Sequence, residues 1–405
     1  MPTIKHGIYQ GIKTTVIEDK QQIMSSASLW FARGYALDDT DAQGLSHFFE
    51  HLWAGGDDEY TKAKTLEEYG VNVNAYTTAY LTYYYHIQEP IHLMTSLQLL
   101  LAHFDQESVS QETFEKEKNI IAQEKKDSVQ EISRVFAKNL YKGSALAQDV
   151  YGDLDNISYE QYIQYAQLHY TKDKAHLVII TPNATEFVLD SANNEIYTLA
   201  TDSLLSQINP SNTLIPTSDD NIEIMLGYGI SGVFKERDGY HVSLLRTVLG
   251  NFWTSILIQE LRVKKGLVYW VDVSNNYYSN TQSIGIHYKI EKKDLIESLG
   301  VIKTVLDNIS SYIQEEDINR YKTILTSSSK IYYSDIYALT DFYGSLLAYS
   351  EGITYTPEAF YEQVRTISYE EVIALAKQFL SSHIKSLVIK GNLSEEEWEE
   401  AQKYI

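Results

Sequence analysis

The chain has 405 residues, 44% apolar and 22% charged, ordinary globular values for a protein of two or three domains with sizeable cores. It contains no cysteine, which excludes disulfides, thiolate metal sites and a cysteine nucleophile, so any metal must be held by nitrogen and oxygen. The net charge of −22 argues against binding nucleic acid and is compatible with basic partners.

The N-terminal stretch MPTIKHGIYQGIKTTVIEDK lacks the apolar core of a signal peptide, and no run is long and apolar enough to span a membrane. A soluble, cytoplasmic protein is expected. Strand-like alternation over 13–34 leads into GLSHFFEHLWAGG at 44–56, read as a helix. A second β-rich run, VNVNAYTTAYLTYYYHIQ, follows at 71–88, then helical stretches around 91–104 and 110–140. The apolar run AHLVIIT at 175–181 reads as a buried strand. The polar stretch SQINPSNTLIPTSDD at 206–220, with two prolines, is the expected linker between domains at 1–205 and 221–405.

The second half repeats the plan. NIEIMLGYGI begins it at 221, a helix is expected over 238–262, and strand-like segments follow at 266–279 and 281–290. Helices across 292–380 precede a closing IKSLVIKGN, which resembles AHLVIIT. This is an internal duplication with a period near 200 residues. The tail SEEEWEEAQKYI carries a capping box at Ser394 and Glu397 and reads as a terminal helix.

His47 and His51 stand four residues apart, one helical turn on one face, so both can reach one ion. A catalytic zinc takes three protein ligands and leaves one position for water. Glu50 sits beside such an ion, where its carboxylate can take a proton from the metal-bound water. The order H-x-x-E-H inverts the usual zinc-protease motif. A third ligand is needed, and TFEKEKNIIAQEKKD at 113–127 offers Glu117 and Glu124, two turns apart on one helical face. Read without further context, glutamates in so charged a helix most often form a solvated face.

The ordered blocks at 32–56, 69–86 and 114–124 resemble the pitrilysin or insulinase-like peptidases, family M16. The resemblance implies an α+β fold of two homologous α/β-roll domains, each an antiparallel sheet covered by helices. Carried over by position, it implies His47, His51 and Glu124 as zinc ligands, Glu50 as general base, and Glu117 as a residue that orders the site. It implies that Asn74, Ala75 and Thr77 lie on an exposed strand that binds substrate by β-augmentation. LIQELRVKKGLVYWVDV at 257–273 resembles the family's second block, in which Arg262 and Tyr269 contact substrate and stabilise the oxyanion. The separation of 73 between His51 and Glu124 is slightly short for the family, as from a trimmed loop, and the His-Pro aromatic motif expected near 145–157 is absent.

The activity implied is a zinc-dependent endopeptidase acting on peptides or unfolded segments in a closed dimeric chamber. A single-half chain carrying both blocks suggests a homodimer with composite sites, and the alternative is a heterodimer with a paralogous subunit. The rival reading is a non-catalytic or partner-dependent subunit of a peptide-processing complex. Acidic clusters at 38–41 and 57–59 either attract basic peptides or serve as solvated loops.

Overall fold

The computed structural model describes residues 2–39, 41–57, 59–105, 109–128, 131–190, 208–235, 238–278, 280–349 and 352–405. The chain divides into two compact units, and each is discontinuous in sequence. Unit 1 comprises Met1–Asp127, Gln148–Asp202 and Ile331–Pro357, and unit 2 comprises Ser128–Ala147, Ser203–Lys330 and Glu358–Ile405.

Unit 1 is built on strands β1 (Thr3–Tyr9), β2 (Ile12–Glu18), β3 (Ser25–Phe31), β4 (Asn72–Thr77), β5 (Thr82–Gln88) and β6 (Ala175–Thr181), in the order β1-β2-β6-β3-β5-β4. Strands β3, β5 and β6 are buried at every position, which is why they read as continuous runs rather than alternating ones. The helix Ile336–Ser345 packs on β3, β5 and β6. Thr340 of that helix donates its hydroxyl to Ser26 at 2.7 Å, and a Cβ at Gly344 would come within 2 Å of the Trp30 ring. Close approach of helix to sheet thus requires glycine there.

The helices that carry the site in unit 1 are α1 (Leu45–Ala54), α2 (Glu59–Glu68), α3 (Leu93–Leu101) and α4 (Gln111–Ser128). Leu45, Phe48, Phe49 and Leu52 turn the apolar face of α1 into the core. Phe48 and Phe114 are fully buried and stack at 5.1 Å, which docks α1 against α4. Along α4, Phe114 and Ile121 point inward at 0% exposure, and Glu117 and Glu124 fall between and beyond them on the same side.

Unit 2 contains α5 (Ile132–Leu140) and strands β7 (Thr213–Pro216), β8 (Asn221–Ser231), β9 (Val271–Tyr277), β10 (Thr281–Glu291) and β11 (Ile384–Gly391), ordered β7-β11-β8-β10-β9. The five-strand run β2-β6-β3-β5-β4 of unit 1 has the same order and the same single parallel pair, β2 with β6 matching β7 with β11. The duplication is therefore one of topology. The capping boxes at Ser394 and Glu397 and at Ser368 and Glu371 both form.

Several sequence expectations are corrected. The helix expected over 110–140 is two helices, and α5 packs on β8 and β11 of unit 2, with Phe136 against the bare Cα of Gly227. The units are accordingly not the contiguous halves 1–205 and 221–405. Residues 213–216 of the expected linker form β7, because parallel pairing with β11 satisfies their backbone. Residues 191–207, where the first boundary was placed, lie outside the described residues. The helix expected over 238–262 ends at Leu249; Asn251 then takes φ +75, and a π-helical turn runs Ile258–Lys264.

Candidate metal centre and substrate edge

The N-terminus of α1 is fixed by Asp38, only 4% exposed. Its carboxylate accepts from Gly44 N at 2.8 Å, Ser46 N at 3.3 Å, Ser46 Oγ at 2.5 Å and the Tyr165 hydroxyl at 2.7 Å. An acid at that end also complements the helix dipole. Burial pushes the Asp38 carboxyl up, and the hydrogen bonds from Ser46, Tyr165 and Gly44 pull against it. Gly44 takes φ +96, and a Cβ there would come 2.7 Å from the Tyr151 carbonyl, so the turn that starts α1 requires glycine.

This start directs His47 and His51 toward α4. Their Nε2 atoms stand 3.3 Å apart, and Glu124 Oε2 lies 3.9 Å from that of His47 and 3.6 Å from that of His51. Tetrahedral ligands bonded to zinc at about 2.0–2.1 Å stand about 3.3–3.4 Å from one another. Two imidazole nitrogens and a carboxylate at these spacings fit that ion. His47 is 9% exposed and meets the Tyr151 ring edge to face at 5.0 Å. The other ring nitrogen of His51, Nδ1, lies 2.9 Å from Glu117 Oε1. A carboxylate there selects the Nδ1–H tautomer and leaves the Nε2 lone pair for a metal. Burial alone would lower the His51 pKa, but the Glu117 hydrogen bond and the charges of Glu124, Glu50 and Glu117 outweigh it, so the imidazole is held above its usual range.

His47, Glu50 and His51 also place one ligand atom each within 4.8 Å of one another. Glu124, with its Oε2 3.9 Å from His47 Nε2 and 3.6 Å from His51 Nε2, fits the third ligand position and leaves Glu50 beside the cluster. Burial pushes the Glu50 carboxyl up, against the Thr77 hydrogen bonds and the charge of His51. A carboxylate beside the ion, partly desolvated and not consumed as a ligand, is placed for proton transfer.

Strand β4 is the edge of its sheet and is largely exposed, with Val73 45% and Tyr76 46% accessible. Asn74 is exposed and bonds Tyr76 OH at 3.2 Å; Ala75 is half-buried. Thr77 donates its hydroxyl to the Ser46 carbonyl at 3.5 Å, stands 3.4 Å from Thr82 Oγ1, and is close enough to Glu50 to lower its carboxyl pKa. An open edge strand offers backbone donors and acceptors to an extended peptide.

Arg262 and Tyr269 belong to unit 2. The Arg262 guanidinium lies over the Tyr269 ring at 5.1 Å and the Trp253 ring at 4.9 Å. Both aromatics are exposed, Tyr269 by 80% and Trp253 by 63%. Stacking on two rings leaves the in-plane N–H groups of Arg262 for an acceptor. Sequence reasoning misses Trp253, because nothing in the sequence shows that a tryptophan nine residues before Arg262 stays exposed.

The acidic clusters are also reassigned in part. Asp38 is buried, whereas Asp57 stays exposed while it accepts from Ser110 Oγ at 2.7 Å and from the Thr113 hydroxyl. A cavity of about 740 Å³ in unit 2 carries paired charges, Lys292 with Glu397 at 2.8 Å and Lys293 with Glu291 at 2.6 Å.

A two-unit α+β protein with a duplicated sheet and an H-x-x-E-H cluster beside an open edge strand has residues arranged to hold a metal next to a peptide-sized edge. The insulinase (peptidase family M16) model matches residues 13–153, and the M16 inactive-domain model matches 156–325. The chain belongs to the M16 family. It is 24% identical over 374 residues to an uncharacterized zinc protease of Rickettsia felis, covering 89% of this chain and 90% of that protein. It is 22% identical over 333 residues to the mitochondrial-processing peptidase subunit beta of Neurospora crassa, covering 75% and 70%. Its fold matches a protease from Helicobacter pylori with a TM-score of 0.82 at 14% identity, covering 96% and 100%. Among the described residues no helix is long and apolar enough to cross a membrane.

Proposed function

We propose that this protein is a zinc endopeptidase that cuts extended peptides laid along β4. The observation that carries this reading is the approach of His47, His51 and Glu124 at metal-ligand spacing with Glu50 beside them. Zinc, when bound, supplies a Lewis acid that polarises the scissile carbonyl and acidifies water.

The chain's own groups do the rest. The β4 edge binds peptide backbone and fixes its register. Thr77 holds the Glu50 carboxylate, which takes the proton of the attacking water and returns it to the leaving amine. Glu117 keeps His51 in the tautomer that ligates. We assign to Arg262 and Tyr269 the binding of peptide carbonyl and developing oxyanion, contributed by a second copy of the chain. A homodimer would then hold two composite sites.

The test has two parts. Chelation should abolish peptide cleavage, and stoichiometric zinc should restore it; cleavage that persists without metal sinks the reading. Mixing inactive His51→Ala with inactive Tyr269→Phe subunits should recover part of the activity. Mixed dimers without recovery would overturn the composite geometry and favour a heterodimeric, partner-dependent subunit.

A further inference from the structure

Strand β5 presents alternate residues to opposite faces of the unit 1 sheet. Tyr84 turns toward α1, where its hydroxyl donates to the Phe49 carbonyl at 3.0 Å. Tyr83 and Tyr85 turn the other way, toward the helix Ile336–Ser345. The Tyr83 hydroxyl donates to Asp341 at 2.8 Å, and the Tyr85 and Tyr337 rings meet edge to face at 5.7 Å. In the β4–β5 ladder Asn74 lies opposite Tyr85 and Tyr76 opposite Tyr83, so both edge residues share this face. The Tyr76 ring stands 5.6 Å from that of Tyr83 and 6.2 Å from that of Tyr85. The metal cluster and this tyrosine array thus lie on opposite sides of one edge strand.

Asp341 is half-buried within the array. Among the described residues the Tyr83 hydroxyl is its one hydrogen-bond partner, and no lysine, arginine or histidine pairs with it. Burial pushes its carboxyl up, and the Tyr83 hydrogen bond pulls against that. Tyr83, Tyr85 and Tyr332 all feel the Asp341 charge, which places their side chains around it. A carboxylate half out of water, without a counterion and among tyrosines, has the chemistry to receive a guanidinium or an ammonium.

A peptide paired to the β4 edge sends one set of side chains to the metal side and the alternate set over Asn74 and Tyr76. We propose that the face turned away from the metal holds a subsite for an arginine of the substrate, with the exposed Tyr76 ring against its stem and Asp341 as receptor of its guanidinium. The inference rests on the reading that peptides lie along β4. From that edge a side chain must cross Tyr76 to reach Asp341 above β5, which an arginine spans and a short side chain does not. Arginine is favoured over lysine because its planar group stacks on tyrosine while its N–H fork meets a carboxylate. A glutamate would be brought against a like charge in a half-buried site and is rejected. The subsite thereby sets where a basic residue falls relative to the cut, on a position whose side chain points away from the metal.

The test uses one peptide sequence in which a single residue, moved along the peptide, is Arg, Lys, Gln or Glu. Kd is measured on the zinc-loaded Glu50→Gln protein, and kcat/KM on the wild type. At one position, or at positions two apart, Arg should exceed Gln by about tenfold in both measurements, and Glu should be the poorest. In the Glu50→Gln background Asp341→Asn, which keeps an acceptor for Tyr83, should bring the Arg-to-Gln ratio toward one, and Asp341→Lys should reverse the Arg-to-Glu order. An Arg preference absent from the Glu50→Gln protein, or unchanged in both Asp341 variants, overturns the proposal and leaves Asp341 only as the acceptor of Tyr83. Tyr76→Ala probes the same subsite from the exposed edge without touching Asp341: the Arg-to-Gln ratio should fall at the same position, and an unchanged ratio also overturns the proposal. If the wild type cleaves nothing while Asp341 governs the Kd series, the peptidase reading fails and the subsite stands.

Discussion

The Nδ1 of His51 lies 2.9 Å from Glu117 Oε1, while its Nε2 faces the Nε2 of His47 at 3.3 Å. One ring thus joins the metal cluster to a second carboxylate on α4. Glu117 is 15% exposed at the side chain, against 41% for Glu124, so the two glutamates of one helical face occupy different environments.

This pairing predicts the behaviour of Glu117→Gln. The amide cannot match a carboxylate as acceptor for Nδ1–H, and His51 loses part of its basicity toward the metal. Zinc affinity, measured by competition with a chromophoric chelator, should fall about 10–100-fold. Unchanged affinity would show that Glu117 does not orient the ligand.

The same contacts set the pH dependence of metal binding. In the metal-free protein His51 holds its proton above the ordinary imidazole range because of Glu117, Glu124 and Glu50. Proton and zinc compete for Nε2, so affinity should decline as pH falls through that raised pKa, beginning above about 6.5. Zinc titrations between pH 8 and 5.5 should show the decline, with its onset moved to lower pH in Glu117→Gln. Affinity that stays flat to pH 6 would contradict this.

Two histidines away from the cluster predict acid sensitivity of the fold. Burial lowers His86 to about 4 and His176 to about 3. The unfolded chain protonates each near 6.5, the folded chain only far below, so the stability from burying them neutral is full above about 6.5 and is lost as pH falls. Each contributes a slope of about 1.4 kcal/mol per pH unit within that window. The urea midpoint should drop between pH 7.5 and 5.5, and an H176Q variant should show a shallower drop. An unchanged midpoint would mean that these rings gain protons in the folded state.

Asp38 predicts a coupling between loop and metal. Asp38→Ala leaves the N–H of Gly44 and the hydroxyls of Ser46 and Tyr165 without their buried acceptor, at a cost of roughly 1–3 kcal/mol. Because those bonds begin the helix that bears His47 and His51, zinc affinity should fall alongside the melting temperature. Loss of stability with full zinc affinity would separate the two.

What the sequence made legible was local. His47 with His51, and Glu117 with Glu124, share a helical face by spacing alone, but only the family resemblance marked the glutamate face as part of the site. Sheet composition was legible too, because AHLVIIT and IKSLVIK are too apolar to be anything but buried strands. Asp38 stood in the acidic run DDTD and read as a loop charge, since nothing local reveals that Ser46 and Tyr165 close over it. That the Thr77 hydroxyl also reaches the Ser46 carbonyl was not legible, because the two lie 31 residues apart. The stretch 110–140 kept a helical pattern past Ser128, but the pattern says nothing about which sheet α5 joins; Phe136 and the glycine at 227 decide that. Arg262 was legible only by resemblance, and its stacking partner Trp253 comes from a turn that the positive φ of Asn251 creates.

The most direct measurement compares wild type with Glu50→Gln for bound zinc and for cleavage of a mixed peptide library. The account predicts about one zinc per chain in both proteins, from three ligands that exclude Glu50, with cleavage only by the wild type. Substantial cleavage by Glu50→Gln, or a wild type that binds no zinc, would contradict it.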